Sequence, residues 1–213
     1  MKIPYYLTVD FEDFHHDYQR LCGLKKYEFR QDSLNYSYEV INNYLKKNFK
    51  NKNITFFITG VVAKAFPHLV RKIKDDGHEV CSHYFFHDNI RDTDEENFSN
   101  FLDQSIEALY KASGSMPLGF RAPNFAIEKH NTWAYKIIKK NFLYDSSCRI
   151  FLENKNDIQY YKSFFNKIGL FQFYISQKKI PFLNYPLRSG GTFMKVFPIK
   201  LVINLLRETY NNQ

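Results

Sequence analysis

Two histidines four residues apart, His83 and His87, close the stretch Gly77-His78-Glu79-Val80-Cys81-Ser82-His83-Tyr84-Phe85-Phe86-His87. A neutral imidazole offers one lone pair to a divalent cation, and zinc and its neighbours take that ligand readily. The spacing puts both rings on one face if the segment after the strand winds into a helical turn. The plain alternative is a hydrogen-bonded core His83 and a His87 opening a surface turn, since an isolated H-x-x-x-H spacing often arises by chance. A second ionisable cluster, Asp10, Glu12, Asp13, His15, His16 and Asp17, follows the apolar run Tyr5 to Val9. Carboxylates at the carboxyl end of a central strand are where barrel and open α/β enzymes place their chemistry. A polar loop with helix-capping acids is the other reading of that cluster. Arg121 is the only charge in Gly119 to Phe125 and reads as a side chain that points into a polar site or else snorkels, the site being the favoured reading.

The elements that must position these groups follow from pattern. Tyr5 to Val9 reads as a buried first strand, near-continuous and apolar as in a parallel sheet. Residues 15–32 show no clear period and read as a long loop. Ser33 caps a helix through about Lys47, with Leu34, Tyr38, Ile41 and Leu45 on its apolar face. Ile54 to Gly60 is the second strand. Pro67 opens a helix to Asp76 that Gly77 stops, and Glu79 to Ser82 is the third strand. A helix from about Asp94 to Ala112 precedes the short strand and proline turn of Gly119 to Phe125. Asn131 caps a helix to Asn141, and Phe142 to Ser147 repeats the strand-then-polar pattern. Residues 150–168 lack a period, Leu170 to Ser176 alternates like a strand, Pro186 to Gly191 is a turn, and Pro198 opens a last helix to about Tyr210. Strand and helix alternate, which argues parallel strands with outer helices.

The bulk properties narrow the classes. At 213 residues the chain suits one α/β domain, and the 18% aromatic content fills core volume usually given to Leu and Val. The net charge of +8 invites a nucleic-acid reading. The densest basic runs, Lys46 to Lys52 and Lys139-Lys140, sit instead where helices should end and favour the negative end of the helix dipole. No interleaving of Arg with aromatics marks an RNA platform, so no nucleic acid is expected. No apolar run reaches the roughly 20 residues of a membrane span, and the N-terminus does not read as a signal peptide. Cys22, Cys81 and Cys148, an odd set without C-x-x-C spacing, suit free thiols in the cytoplasm. Exposed Phe and Tyr at 150–185 could stack on sugar rings or equally fill the core.

Three segments together resemble the polysaccharide deacetylases of the NodB type, carbohydrate esterase family four. Thr8-Val9-Asp10-Phe11-Glu12-Asp13 resembles the first motif, with its general base and a metal-ligand carboxylate. The Gly77 to His87 stretch resembles the second, which supplies two metal-ligand histidines. Phe120-Arg121-Ala122-Pro123-Asn124-Phe125 resembles the third, whose arginine holds the base and whose backbone near the aromatic helps form an oxyanion hole. Tyr144-Asp145-Ser146-Ser147 and Ser189-Gly190-Gly191-Thr192-Phe193 look like a subgroup tied to cell-surface polysaccharide synthesis. The resemblance covers residues 5 to about 198 and implies a distorted, incomplete (β/α) barrel in a single domain, 1–213. It implies a divalent metal, zinc or else cobalt or nickel, and an acetylated sugar or polysaccharide as substrate. By the same resemblance Asp10, Arg121 and Phe125 are catalytic, His83 and His87 bind metal with Glu12 or Asp13, and Pro123 and Asp145 face substrate.

Two departures stand out. The family's first motif has adjacent aspartates; here strand alternation puts Asp10 and Glu12 on one face, so Glu12 is the expected ligand and Asp13 the fallback. The family's last motif carries a histidine proposed as general acid, whereas the last histidine here is His130 and the chain stops at Gln213, where that strand would be expected. Truncation, an acid from elsewhere, and a non-catalytic carbohydrate binder of the same fold all remain open on sequence alone.

Overall fold

The computed structural model describes residues 6–25, 28–50, 53–179, 186–188 and 198–212. The chain divides into two compact units, Tyr5–Asn124 and the part from Phe125 onward.

In the first unit four strands run parallel: β1 (Thr8–Phe11), β2 (Thr55–Ile58), β3 (Glu79–Ser82) and β4 (Gly119–Phe120). Alternation along each strand sorts the side chains onto two faces. One face carries Phe11, Phe56, Ile58 and Val80 into a core. Four helices close that core. They are α2 (Gln31–Asn48) through Leu34, Tyr38 and Leu45, α3 (Gly60–Ala65) through Val62, α4 (Pro67–Asp75) through Val70 and Ile73, and α5 (Glu95–Ser113) through Leu109. Burying one such side chain fully is worth about 1.5–3 kcal/mol. The opposite face carries Thr8, Asp10, Phe57, Cys81 and Glu79, and all the ionisable groups of interest leave from it.

The structure corrects several expectations. β1 spans Thr8–Phe11, and Tyr6 and Leu7 are exposed rather than buried, because β1 is an edge strand of this unit's sheet; Tyr5 lies outside the described residues. Residues 14–21 form a helix, α1 (Phe14–Leu21), where a loop was expected. Its polarity is inverted: His16 and Asp17 are buried while Phe14, Tyr18 and Leu21 are exposed, so the usual apolar-inward pattern is absent. α2 begins at Gln31, before Ser33, and Arg30 at its N-cap makes no side-chain cap. α3 follows β2 without a loop, and the sequence reading missed it.

In the second unit the described elements are α6 (Trp133–Asn141), β5 (Tyr144–Asp145), β6 (Arg149–Phe151), α7 (Lys155–Ile168), β7 (Phe171–Gln172), β8 (Ile175–Lys178), β9 (Leu187–Arg188) and α8 (Ile199–Asn212). β5 pairs with β7 and β6 with β8 in parallel, and β9 closes antiparallel on β8. Residues 150–168, aperiodic on sequence, hold part of β6 and all of α7, which buries only Tyr161 and Phe165. Asn131 does not cap α6 directly. Its side chain accepts the Glu128 N–H at 2.6 Å, and the helix begins at Trp133. The alternating run Leu170 to Ser176 is split between β7 and β8, and Leu187–Arg188 is strand rather than turn. Ser189 to Phe193 lies outside the described residues.

Candidate metal centre

The sheet register lines up the chemistry. Phe11 pairs with Ile58, Ile58 with Ser82 and Ser82 with Phe120. The residues that follow, Glu12, Thr59, His83 and Arg121, therefore stand side by side at the carboxyl edge, on the face opposite the core.

Glu12, His83 and His87 come together there: each offers a ligand atom, and these atoms all lie within 4.8 Å of one another. His83 is 1% exposed. Its Nδ1 lies 2.8 Å from the Arg121 carbonyl oxygen, which only accepts, so Nδ1 holds the proton and Nε2 keeps its lone pair. Glu12 Oε2 approaches His87 Nε2 at 2.9 Å, and among the described residues this buried oxygen has no well-aligned hydrogen-bond donor. Two donor atoms this close are compatible with an ion shared between them. One carboxylate and two imidazoles form an N/O donor set that suits zinc, cobalt or nickel and leaves positions open for water and substrate.

Electrostatics separates the two rings. Burial lowers the His83 pKa and outweighs the opposing charges of Asp10 and Glu12. Burial also works against charge on His87, but the Glu12 carboxylate, with Asp17 and Asp10 behind it, raises its pKa.

The histidine spacing works differently from expectation. No helical turn joins the rings; the chain bends at Tyr84, whose φ of +66° is costly for a non-glycine residue. The bend is held from several sides. The Tyr84 and Phe85 carbonyls accept the Gly60 and Val61 N–H groups at 2.8 and 3.0 Å. The Ser105 hydroxyl donates to the Tyr84 carbonyl at 3.0 Å, and the Tyr84 ring stacks on Phe98. The result is two imidazole centroids 5.4 Å apart.

Beside the candidate ligands, Arg121 Nη1 donates to Asp10 Oδ1 at 2.7 Å and to the Thr8 hydroxyl at 2.9 Å, while its guanidinium lies 4.1 Å over the Phe57 ring. Burial pushes the Asp10 carboxyl up, but the nearby His83 and Arg121 outweigh it and hold the group below the usual carboxylate range. Arg121 thus orients His83 with its carbonyl and Asp10 with its side chain. Asp13 is engaged elsewhere. Its Oδ1 accepts the His15 and His16 N–H groups at the start of α1, and its Oδ2 accepts the Arg30 N–H at 2.6 Å.

The remaining expected site residues fall as follows. Pro123 is buried at the end of the first unit, in a turn that puts Asn124 at φ +55°. Phe125, φ +52°, opens the second unit. Asp145, also in the second unit, is fully buried, and its carboxylate accepts the Ser147 N–H at 2.7 Å and hydroxyl at 2.6 Å. Sequence reasoning overlooked Thr59 beside the candidate ligands, and it placed His16 and Asp17 in an ionisable cluster without foreseeing that they pair in a buried position. Thr59 is fully buried in the row between Glu12 and His83, and its hydroxyl has no hydrogen-bond partner among the described residues. His16 and Asp17 form a buried pair at 3.4 Å. Polar residues in a segment without an apolar period were the available signal.

Comparison with known proteins supplies independent findings. A sequence profile described as polysaccharide deacetylase matches residues 25–140, more than half of the chain. The matched span holds His83, His87, Arg121 and Pro123 and begins after Asp10 and Glu12. The chain is 33% identical over 96 residues to the peptidoglycan deacetylase-like protein FGM2 of Gibberella zeae, covering 45% of this chain and 28% of that one. It is 31% identical over 94 residues to a peptidoglycan-N-acetylglucosamine deacetylase of Bacillus cereus, covering 44% and 33%. The matches thus span a third or less of these curated relatives. A solved Mycobacterium smegmatis structure, assigned as a polysaccharide deacetylase, superposes with a TM-score of 0.52 at 18% identity, over 97% of this chain and 82% of that one. That likeness shows the fold, an α/β chain of the distorted (β/α) barrel type.

Proposed function

The chain belongs to the polysaccharide deacetylase family, and from that premise we propose that it is a metal-dependent hydrolase removing N-acetyl groups from a sugar or polysaccharide. On this reading it works in cell-surface polysaccharide metabolism, in the cytoplasm. The observation that supports it best is the convergence of Glu12, His83 and His87 beside an Asp10 held by Arg121. The names of the curated relatives make an N-acetylated glycan of the peptidoglycan kind the class to test first.

Glu12, His83 and His87 would hold a zinc, cobalt or nickel ion. Such an ion lowers the pKa of water to about 7 and polarises a carbonyl. Asp10, kept ionised by Arg121, accepts the proton of the attacking water as general base. Arg121 fixes the Asp10 carboxylate, and its carbonyl fixes the His83 tautomer, so neither group reorganises during the reaction. The Phe125 N–H is the proposed oxyanion donor, and Pro123 and Asp145 are assigned to the substrate side, by resemblance to the family's motifs.

The test is metal content by mass spectrometry, on protein purified without an affinity metal column, followed by acetate release from N-acetylated glycans. About one ion per chain, lost in His83→Ala, is expected, with acetate release abolished in Asp10→Asn while metal stays bound. Absence of metal in the wild type, even after zinc is added back, would overturn the mechanism. Bound metal without acetate release from any such glycan would leave a carbohydrate-binding protein of this fold.

A further inference from the structure

Helix α1 begins directly after the ligand Glu12, and its far end reaches the loop of the ligand His87. Asp13 caps the start of the helix and so fixes where Glu12 leaves the strand. Two turns later Arg20 pairs with Asp88, the residue after His87, across 68 positions of sequence. The same guanidinium lies 4.5 Å over the ring of Phe86, the residue before His87. Arg20 is largely buried, its side chain 19% exposed. The two neighbours of one metal ligand are thus gripped by a single side chain on a short helix anchored at another ligand. Arg20 uses both properties that distinguish a guanidinium: a planar fork for a carboxylate and a flat face for an aromatic ring.

We propose that Arg20 is a positioning residue for the metal centre: paired with Asp88 and stacked on Phe86, it holds the His87 loop at a fixed distance from Glu12. The proposal rests on the metal-centre reading above. His87 lies on a bend with no helix or strand of its own; the Tyr84 and Phe85 carbonyls tie the residues before it to α3, and Arg20 adds the grip on its two immediate neighbours. His16 and Asp17 on the same helix are buried, which anchors α1 to the rest of the unit.

The experiment is zinc affinity by competition with a chromophoric chelator, on Arg20→Ala, Asp88→Ala, the double variant, Arg20→Lys and the charge swap of Arg20→Asp with Asp88→Arg. Groups that orient metal ligands cost about 10–100-fold in affinity when removed. Each single alanine variant is expected to weaken zinc binding at least tenfold, the double no more than the worse single, and the swap to recover part of the loss. Arg20→Lys, which keeps the charge and loses the planar stack, is expected to fall between. The metal-free melting temperature, measured alongside, separates positioning from plain structure. A fall in stability with unchanged zinc affinity would overturn the proposal, as would single losses that simply add in the double. If an alanine variant does not fold, Arg20→Lys and the swap decide by the same criterion. A wild type that binds no zinc would overturn the metal-centre reading and this proposal with it; a wild type that binds zinc as tightly as its variants would overturn this proposal alone.

Discussion

Glu12 and Asp13 are adjacent carboxylates, and the backbone at the end of β1 sends them in opposite directions. Glu12 continues the face of Asp10 and meets His87, whereas Asp13 turns away and satisfies three backbone N–H groups. Alternation along a strand already favoured Glu12, and the cap geometry supplies the positive reason Asp13 is occupied. Glu12→Gln is therefore expected to weaken zinc binding more than tenfold with little change in the metal-free protein. Asp13→Ala is expected to keep one zinc per chain but lose about 1–2 kcal/mol of stability, the scale of a lost N-cap. Chelator competition and denaturant midpoints on the two variants check this. Zinc lost only in Asp13→Ala would reverse the assignment. Arg121 was legible as the only charge in its segment; its second task, orienting His83 through its carbonyl, was invisible because it depends on which strand lies next to which.

Elements place these residues, and they were readable to the extent that each shows a period. β3 and α4 stand where the sequence puts them, because an apolar run between Gly77 and the histidines, and Pro67 at a helix start, are strong local signals. α1 escaped because its buried residues are polar, and α7 because it buries only two side chains. α3 escaped because Gly60 reads as a strand terminator, although its role is close packing. A Cβ at Gly60 would lie 2.5 Å from Phe85 Cδ2 and 2.9 Å from the Ser105 backbone. Gly60→Ala must therefore displace the loop between the two histidines. It is expected to cost about 1–3 kcal/mol as overpacking and to weaken zinc binding, read by denaturant midpoint and chelator competition; wild-type values in both would show that the loop yields freely. A second tie joins α2 to the end of α4, where Tyr38, Asn42 and Lys46 all donate to Asp76. The Tyr38 hydroxyl chiefly, and Lys46 after the opposing burial, hold the Asp76 carboxyl below its ordinary range. A carboxyl more acidic folded than unfolded stabilises above its unfolded pKa, about 3.9, and loses that contribution as pH falls through the folded value. Asp76→Asn should thus lower stability by about 1 kcal/mol at pH 7, with the gap to wild type closing below about pH 4 in midpoints measured across that range. A gap independent of pH would remove the charge from the explanation.

At the scale of the molecule, the chain carries a net charge of +8, and among the described residues several of its cations are paired. Lys46 and Lys72 face carboxylates between α2 and α4, Lys111 faces one within α5, and Lys129, Arg149 and Lys178 face theirs in the second unit. Exposed pairs of this kind contribute about 0–1 kcal/mol each, so they offset charge without holding the fold. The cores must do that, with any ion held at the candidate metal centre, whose three side chains all lie in the Tyr5–Asn124 unit. All three come from segments with little regular structure, Glu12 from the junction between β1 and α1 and His83 and His87 from the stretch after β3. A ligand that binds only the folded state stabilises it in proportion to the logarithm of its concentration over Kd, about 2.7 kcal/mol at a hundredfold excess. In a chain of this length each kcal/mol shifts Tm by roughly 2–4 °C. Zinc at that excess is thus expected to raise Tm by about 5–10 °C, reversed by a chelator and absent in His83→Ala. Amide exchange should slow most around β1, α1 and the His83–His87 bend, where ordering by the ion acts on segments that secondary structure holds least. A zinc-dependent shift that survives His83→Ala would place the ion elsewhere on the chain, and no shift at saturating zinc would leave the three converging side chains without a metal to hold.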